Sequence, residues 1–409
     1  VVAPVSRRWL YPLALALPFL VMVAALKGLT VELHTFHASD ARLYHLPTIM
    51  QFARDLPFPS LVRYPAAQAP LFHLLFAVYG KVVGFQLWKL QALDVVISYL
   101  AVLALFHLLT ARLGLQRPKA LALTLLFALS PYFFGASFIL LTDNLAILLA
   151  LVAIILFHRS GEAGSMRPFA LGCLFTALAL LTRQSFVWLL PIGLFLAPRK
   201  LPGAVLLAAS FAPLGALVVA WGGLVPKGSD PTSCGLCPGQ GNNLLGRALG
   251  FTFAVFAVYA VAVLGPSLWR RRPELVGAAV AVVAGVLLLV LFPLDFSPPS
   301  SGVPGDAGYL WRTSESVPLL FWVLVPVGTL AAYELGRRAG PRSLAVVFGV
   351  SFLLSTLPVR LVYQKYFDPF ALLAVLMFVR RDDLERRWQW VGVAAVAVAF
   401  AAYALSFEV

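Results

Sequence analysis

Apolar runs of about 20 residues, the length of helix that crosses a bilayer, recur from one end of the chain to the other. They fall near residues 10–30, 87–110, 119–136, 139–157, 168–182, 185–197, 203–222, 249–268, 275–293, 317–335, 343–358, 368–380 and 389–406. Within each run the apolar positions are continuous. A membrane barrel would instead show short strands of alternating polarity, so the pattern predicts helices. Thirteen runs predict an all-α polytopic membrane protein, organised as one transmembrane domain over residues 1–409. The short runs 185–197 and 368–380 predict tilted or broken spans. Polar sequence gathers in three longer segments, 31–86, 223–248 and 294–316.

Composition agrees. The chain is 61% hydrophobic and 12% charged, against about 25% charged in a soluble domain. The formal net charge of +14 raises the question of nucleic acid, but the positions of the charges answer it. With Arg7 and Arg8 placed in the cytoplasm, every alternate short break carries at least two basic residues: Arg112 and Arg117, Arg159 and Arg167, Arg199 and Lys200, Arg270 to Arg272, Arg337 and Arg338, Arg380 and Arg381. This is the positive-inside pattern, and no nucleic-acid partner is needed to explain the charge. It predicts a cytoplasmic N-terminus, a C-terminus on the opposite side, and all three longer segments outside. The run Leu10 to Leu26 is longer than a signal-peptide core and no small-residue cleavage site follows it, so it is expected to remain as a span.

The outward segments hold the polar residues that need a reason. "HASDARLYHLP" follows the first run; if it is helical, Asp40 and Tyr44 share a face, with His45 beside them. Asp40 is either a helix cap or a general base beside a membrane-borne substrate. "SPYFFGASFILLTDN" ends in Thr142, Asp143 and Asn144, three polar residues that either cap a span or bind substrate. "LLTRQSFVW" puts Arg183 and Gln184 at a tight junction between two runs. There Arg183 either reaches lipid headgroups or grips a phosphate through its planar fork. "PVRLVYQKYFDPF" and "YLWRTSE" add Arg360, Lys365, Tyr366 and Arg312. Cys234 and Cys237 form a CxxC without further ligands nearby, which predicts a small local disulfide rather than zinc or redox chemistry. No cofactor and no metal site is indicated, and any metal requirement stays open. With the absence of Asn-x-Ser/Thr sequons, the Ala, Leu, Val and Arg bias suggests a prokaryotic inner membrane; the endoplasmic reticulum is the counterpart in a eukaryote.

Outward carboxylates, cations and aromatics around a membrane resemble the GT-C superfamily of membrane glycosyltransferases. The likeness rests on Asp40 after the first span, a helical outer cap over 41–86 in the first loop, and "YQKYFDP", which is similar to the R/K-Y-x-x-P element of many members. The segments "SDARLYHLPTIMQF", "YPAAQAPLFHLL", "SPYFFGASFILLTDN", "LLTRQSFVW" and "WGGLVPKGSDPTS" resemble, in order, segments of the dolichyl-phosphate-glucose α-1,2-glucosyltransferases. Ala41 stands where that family has a second acid.

The resemblance implies inverting transfer of a hexose, glucose first, from a polyprenyl-phosphate donor to a lipid-linked or glycan acceptor outside the cytoplasm. It implies Asp40 as the base, and Arg183, Arg360, Lys365 and Arg312 as phosphate-holding cations. Tyr44, His45, Thr142, Asp143, Gln184 and Tyr366 are the substrate-binding candidates. Mannose and arabinose donors are the alternatives within the superfamily. A transporter or flippase of a lipid-linked or anionic solute is the alternative outside it. A transporter would want polar residues at the bilayer midplane and repeated broken helices. The chain shows no internal repeat, and Asp94, His107 and a few Ser and Thr are all it offers there.

Overall fold

The computed structural model describes residues 9–25, 39–229, 244–268, 274–294, 308–317, 319–357 and 364–406. Among these residues every regular element is helical. In chain order the α-helices are α1 (Leu10–Ala25), α2 (Leu46–Asp55), α3 (Leu71–Val83), α4 (Leu87–His107), α5 (Arg117–Ala128), α6 (Pro131–Ala136), α7 (Asp143–Ala163), α8 (Met166–Thr182) and α9 (Leu189–Leu196). They continue with α10 (Lys200–Trp221), α11 (Leu244–Leu268), α12 (Leu275–Leu291), α13 (Tyr309–Ser316), α14 (Leu320–Ala339), α15 (Leu344–Thr356), α16 (Asp368–Met377) and α17 (Val391–Ser406).

Helix punctuation follows backbone chemistry. Prolines stand in the first turn of α5, α6 and α16, where the missing N–H costs nothing. Gly164 and Gly222, both left-handed, end α7 and α10.

Four helices, Leu87–Arg112, Asp143–Ala163, Lys200–Trp221 and Gly246–Leu268, are long and apolar enough to cross a membrane, and several shorter apolar helices accompany them. Leu201, Val205 and Val219 on α10, and Leu275, Val276 and Leu291 on α12, are largely exposed to the surroundings. Apolar helix faces of this extent point to lipid, and the chain is an integral membrane protein. Two apolar runs do not fold as single helices. The run 119–136 breaks at Ser130–Pro131 into α5 and α6, because proline disfavours a helical residue before it. The run 185–197 opens with a 3₁₀ turn, Gln184–Trp188, before the eight residues of α9.

The chain divides into two compact units, Val1–Asp230 with Ala399–Val409, and Pro231–Val398. In the first, α7 packs along α8 and against α4 and α9. Gly172 on α8 admits the Phe157 ring of α7 so closely that a Cβ would sit 2.6 Å from it, the small-residue packing expected where lipid gives no hydrophobic drive between helices. The irregular stretch 56–70 is tied down group by group. Trp221 Nε1 donates to Leu61 O at 2.8 Å, Lys227 N to Val62 O at 3.0 Å, Gln51 Nε2 to Arg63 O at 3.2 Å, and Tyr64 Oη to Gln68 O at 2.9 Å.

In the second unit α11 packs against α14 and α16, and α14 against α12. At the end of α14, Arg338 Nη2 lies 2.7 Å from both oxygens of Asp383, whose Oδ2 also accepts from Arg380 N at 2.8 Å. The α11–α14 contact depends on Gly328, whose absent Cβ leaves room for the Phe253 carbonyl. Gly336, on the same helix, faces open space. Gly328→Ala is therefore expected to force the two helices apart at a cost of about 1–3 kcal/mol, while Gly336→Ala holds or raises stability. Thermal melting of the purified protein in detergent checks this; equal melting temperatures for the two variants would show that the contact is not tight.

Candidate functional site

Asp40 closes a helical start and leads into a single π-turn, Ala41–His45, that runs on into α2. Its backbone is helical and its side chain makes no capping bond to that turn. It is half-buried. Ala41, where the resembling family has its second acid, has no exposed surface. π-turns are rare and concentrate at functional sites. Tyr44 is half-buried, and its carbonyl accepts from Thr48 Oγ1 at 2.7 Å.

His45 is 2% exposed and points inward. Its Nδ1 lies 2.9 Å from Nε2 of His73, which is fully buried on α3, and the two rings stack. One nitrogen of the pair must be protonated and the other not, so the pair is held by a single proton. Phe52, Tyr64 and Phe72 close around His73. The structure thus places His45 in a packed contact between the π-turn and α3. Burial, and after it the neighbouring His45 ring, hold the His73 imidazole well below its ordinary 6.5. Sequence reasoning passed over His73 because a lone histidine in "PLFHLL" carries no sign of a partner 28 positions away.

The ends of α7 and α8 bring three of the candidates together. Asp143 opens α7, where the helix N-terminus favours a carboxylate. Arg183 follows α8 with an extended backbone and pairs with Asp143; their side chains are only 13% and 18% exposed. Thr142, at 1% exposure, precedes Asp143 and makes no side-chain cap.

Gln184 is committed on both ends of its amide. Oε1 accepts from Ala69 N at 3.2 Å, and Nε2 donates to Ala67 O at 2.9 Å and to Leu224 O at 3.1 Å. It holds the stretch after Tyr64 against the 3₁₀ turn Gln184–Trp188 that precedes α9.

Beneath this Asn144 and Asp94, polar residues already visible in the sequence, join a polar layer whose pairings the sequence did not show. Asn144 Nδ2 donates to Ser98 Oγ at 2.7 Å, Phe133 O at 3.0 Å and Ser137 Oγ at 3.1 Å, and fully buried Asp94 accepts from Leu141 N at 3.4 Å. These bonds fix the turn that delivers Thr142 and Asp143.

In the second unit Lys365 and Tyr366 lie on the 3₁₀ turn Gln364–Tyr366, with Lys365 Nζ 5.5 Å from the centre of the Tyr366 ring. Arg312 belongs to α13. Arg360, Cys234 and Cys237 lie outside the described residues. Among the described residues no group of three or more His, Cys, Asp or Glu is arranged to hold a metal ion.

Residues 67–225 match the model of the dolichyl-phosphate-mannose-protein mannosyltransferase family. The match spans less than half of the chain; it includes Thr142, Asp143, Arg183 and Gln184 and stops short of Asp40 and the whole second unit. It supports a membrane glycosyltransferase of the GT-C superfamily. No curated protein and no solved structure matches the chain.

The His45–His73 contact has a pH signature. Because the folded pKa of His73 is depressed, the unfolded chain takes up a proton near 6.5 while the folded chain does not. Stability is then complete above that pH and declines below it, by at most about 1.4 kcal/mol per pH unit for one such proton. Melting temperatures of the wild type between pH 7.5 and about 5 should fall, and His73→Gln should flatten that fall. An unchanged pH dependence in the variant would remove His73 as the cause.

Proposed function

We propose that the protein transfers a hexose from a polyprenyl-phosphate donor to a lipid-linked or glycan acceptor on the extracytoplasmic face, with inversion at the anomeric carbon. The observation that carries this reading is the coincidence of the mannosyltransferase-family match with a poorly exposed Asp143–Arg183 pair at the meeting of two apolar helices. A buried ion pair is weak evidence for stability alone, whereas a guanidinium with five donors can serve a carboxylate and a phosphate together.

In the reaction the acceptor oxygen attacks C1 of the sugar and its proton passes to Asp40. The C1–O bond to phosphate breaks, and the polyprenyl phosphate leaves as a monoester. That leaving group is already anionic and needs charge stabilisation rather than a proton, which fixed cations supply best where water is scarce. Arg183 is the candidate of the first unit; Tyr44, His45, Thr142, Asp143 and Gln184 are its substrate-side candidates. In the second unit Lys365, Arg312 and Arg360 are candidates for phosphate contact, with Tyr366 beside Lys365. Glucose is the donor sugar favoured by the resemblance of the first-loop and later segments, and mannose the one favoured by the family match. Transfer from labelled polyprenyl-phosphate glucose or mannose to a membrane extract decides between them.

Asp40→Asn keeps the shape and removes the proton acceptor, so turnover should fall by about 100-fold or more with donor binding nearly intact. Arg183→Ala should weaken donor binding and turnover alike, with Arg183→Lys only a partial rescue. An Asp40→Asn enzyme with normal turnover per folded molecule would end the assignment of the base.

The topology that goes with this reading has thirteen spans, the N-terminus in the cytoplasm and an outer cap built from the first loop. Reporter fusions at Arg7 and at Val409 should then report opposite sides; the same side for both would refute the span count.

A further inference from the structure

Asp368 is a buried carboxylate to which the proposed reaction gives no part. It has no exposed surface, and it opens α16 directly after the turn that carries Lys365 and Tyr366. Both of its oxygens are engaged. Oδ1 accepts from Tyr259 Oη at 2.5 Å, and Oδ2 accepts from Tyr309 Oη at 2.9 Å and from Gln364 Nε2 at 2.8 Å. The two phenols are themselves 3.0 Å apart. Gln364 completes the circuit: its Oε1 accepts from Leu310 N at 3.0 Å.

Among the described residues no cation pairs with Asp368. The charge is satisfied by neutral donors drawn from α11, from α13 and from the turn itself. Burial, and after it the Asp368 carboxylate, push the Tyr309 phenol well above its ordinary 10.0, so it stays a donor at every physiological pH.

Such an arrangement is costly to bury, and the start of a helix alone does not require it. Its effect is local and specific. Gln364 is the first residue of the turn and Asp368 lies just after it. Bonds to both residues, running from Tyr309 and Leu310, fix the backbone on either side of Lys365 and tie it to α13, the helix of Arg312. A lysine is a point charge on a flexible stem. Its use in holding an anion depends on how firmly its backbone is held.

We infer that Asp368 is a positioning residue. Through Gln364 and Tyr309 it locks the Gln364–Tyr366 turn so that Lys365 is preset to receive the phosphate of a polyprenyl phosphate. The inference rests on the functional reading given above and adds to it a residue that never touches the substrate. With both oxygens held inside the network and no exposed surface, Asp368 has no part in proton transfer.

The test is binding of a short-chain polyprenyl phosphate, without sugar, to the purified full-length protein in detergent, measured per folded molecule. Compared are the wild type, Asp368→Asn, Tyr309→Phe, Lys365→Met and the double variant Asp368→Asn/Lys365→Met. Asp368→Asn and Lys365→Met should each weaken binding roughly tenfold, the scale of one hydrogen bond to a charged group. The double variant should be no weaker than the worse of the two, because residues acting through one another are not additive. Tyr309→Phe, which removes one hydroxyl and leaves the carboxylate two donors, should weaken binding by a smaller factor; it carries the test if Asp368→Asn does not fold. Variants that melt earlier but bind like the wild type would overturn this inference and leave the functional reading standing. So would a double variant whose loss is the product of the single losses. A wild type that does not bind polyprenyl phosphate would overturn both.

Discussion

The amide of Gln184 serves three main-chain groups, two from the loop after Tyr64 and one beyond α10, and the constraint it answers governs the whole molecule. In apolar surroundings no water stands ready to satisfy an N–H or C=O, and each one left bare costs several kcal/mol. Helices meet the demand internally. Wherever the backbone leaves the helix, some side chain must meet it instead. At 56–70 the side chains of Trp221 and Gln184 do so, and at 137–142 that of Asp94. The same side chains that complete the backbone bonding hold the candidate residues in position.

Two carboxylates show how different the solutions are. Asp143 is matched by the guanidinium of Arg183. A partner held by charge is exchangeable, since an incoming phosphate offers the same guanidinium an equivalent anion. Asp368 is matched by two phenols and an amide. These neutral donors are fixed by their own helices and have nothing to gain from an anion. The first arrangement suits a group that meets substrate and the second suits a strut. The His45–His73 contact is a third case, in which one shared proton joins the π-turn after Asp40 to α3 and in which a second proton would be repelled.

The membrane class and the helical content were legible in the chain because each depends on runs of adjacent residues. Hydrophobic length sets a helix of bilayer size, and charge in short loops biases orientation. Prolines and glycines mark the ends. Arg183 and Asp143 could be singled out as polar residues in an apolar setting, since that contrast is also local. The sequence alone therefore determined what kind of molecule this is and which residues need an explanation. It did not determine which of them answer one another. Trp221 bonds Leu61 across 160 positions, Gln184 bonds Ala67 across 117, and Tyr259 bonds Asp368 across 109. Only the tertiary structure decided these pairings, because hydrogen-bond partners are chosen by distance in three dimensions, and the helix packing that sets those distances is encoded in the joint fit of many side chains rather than in any one segment.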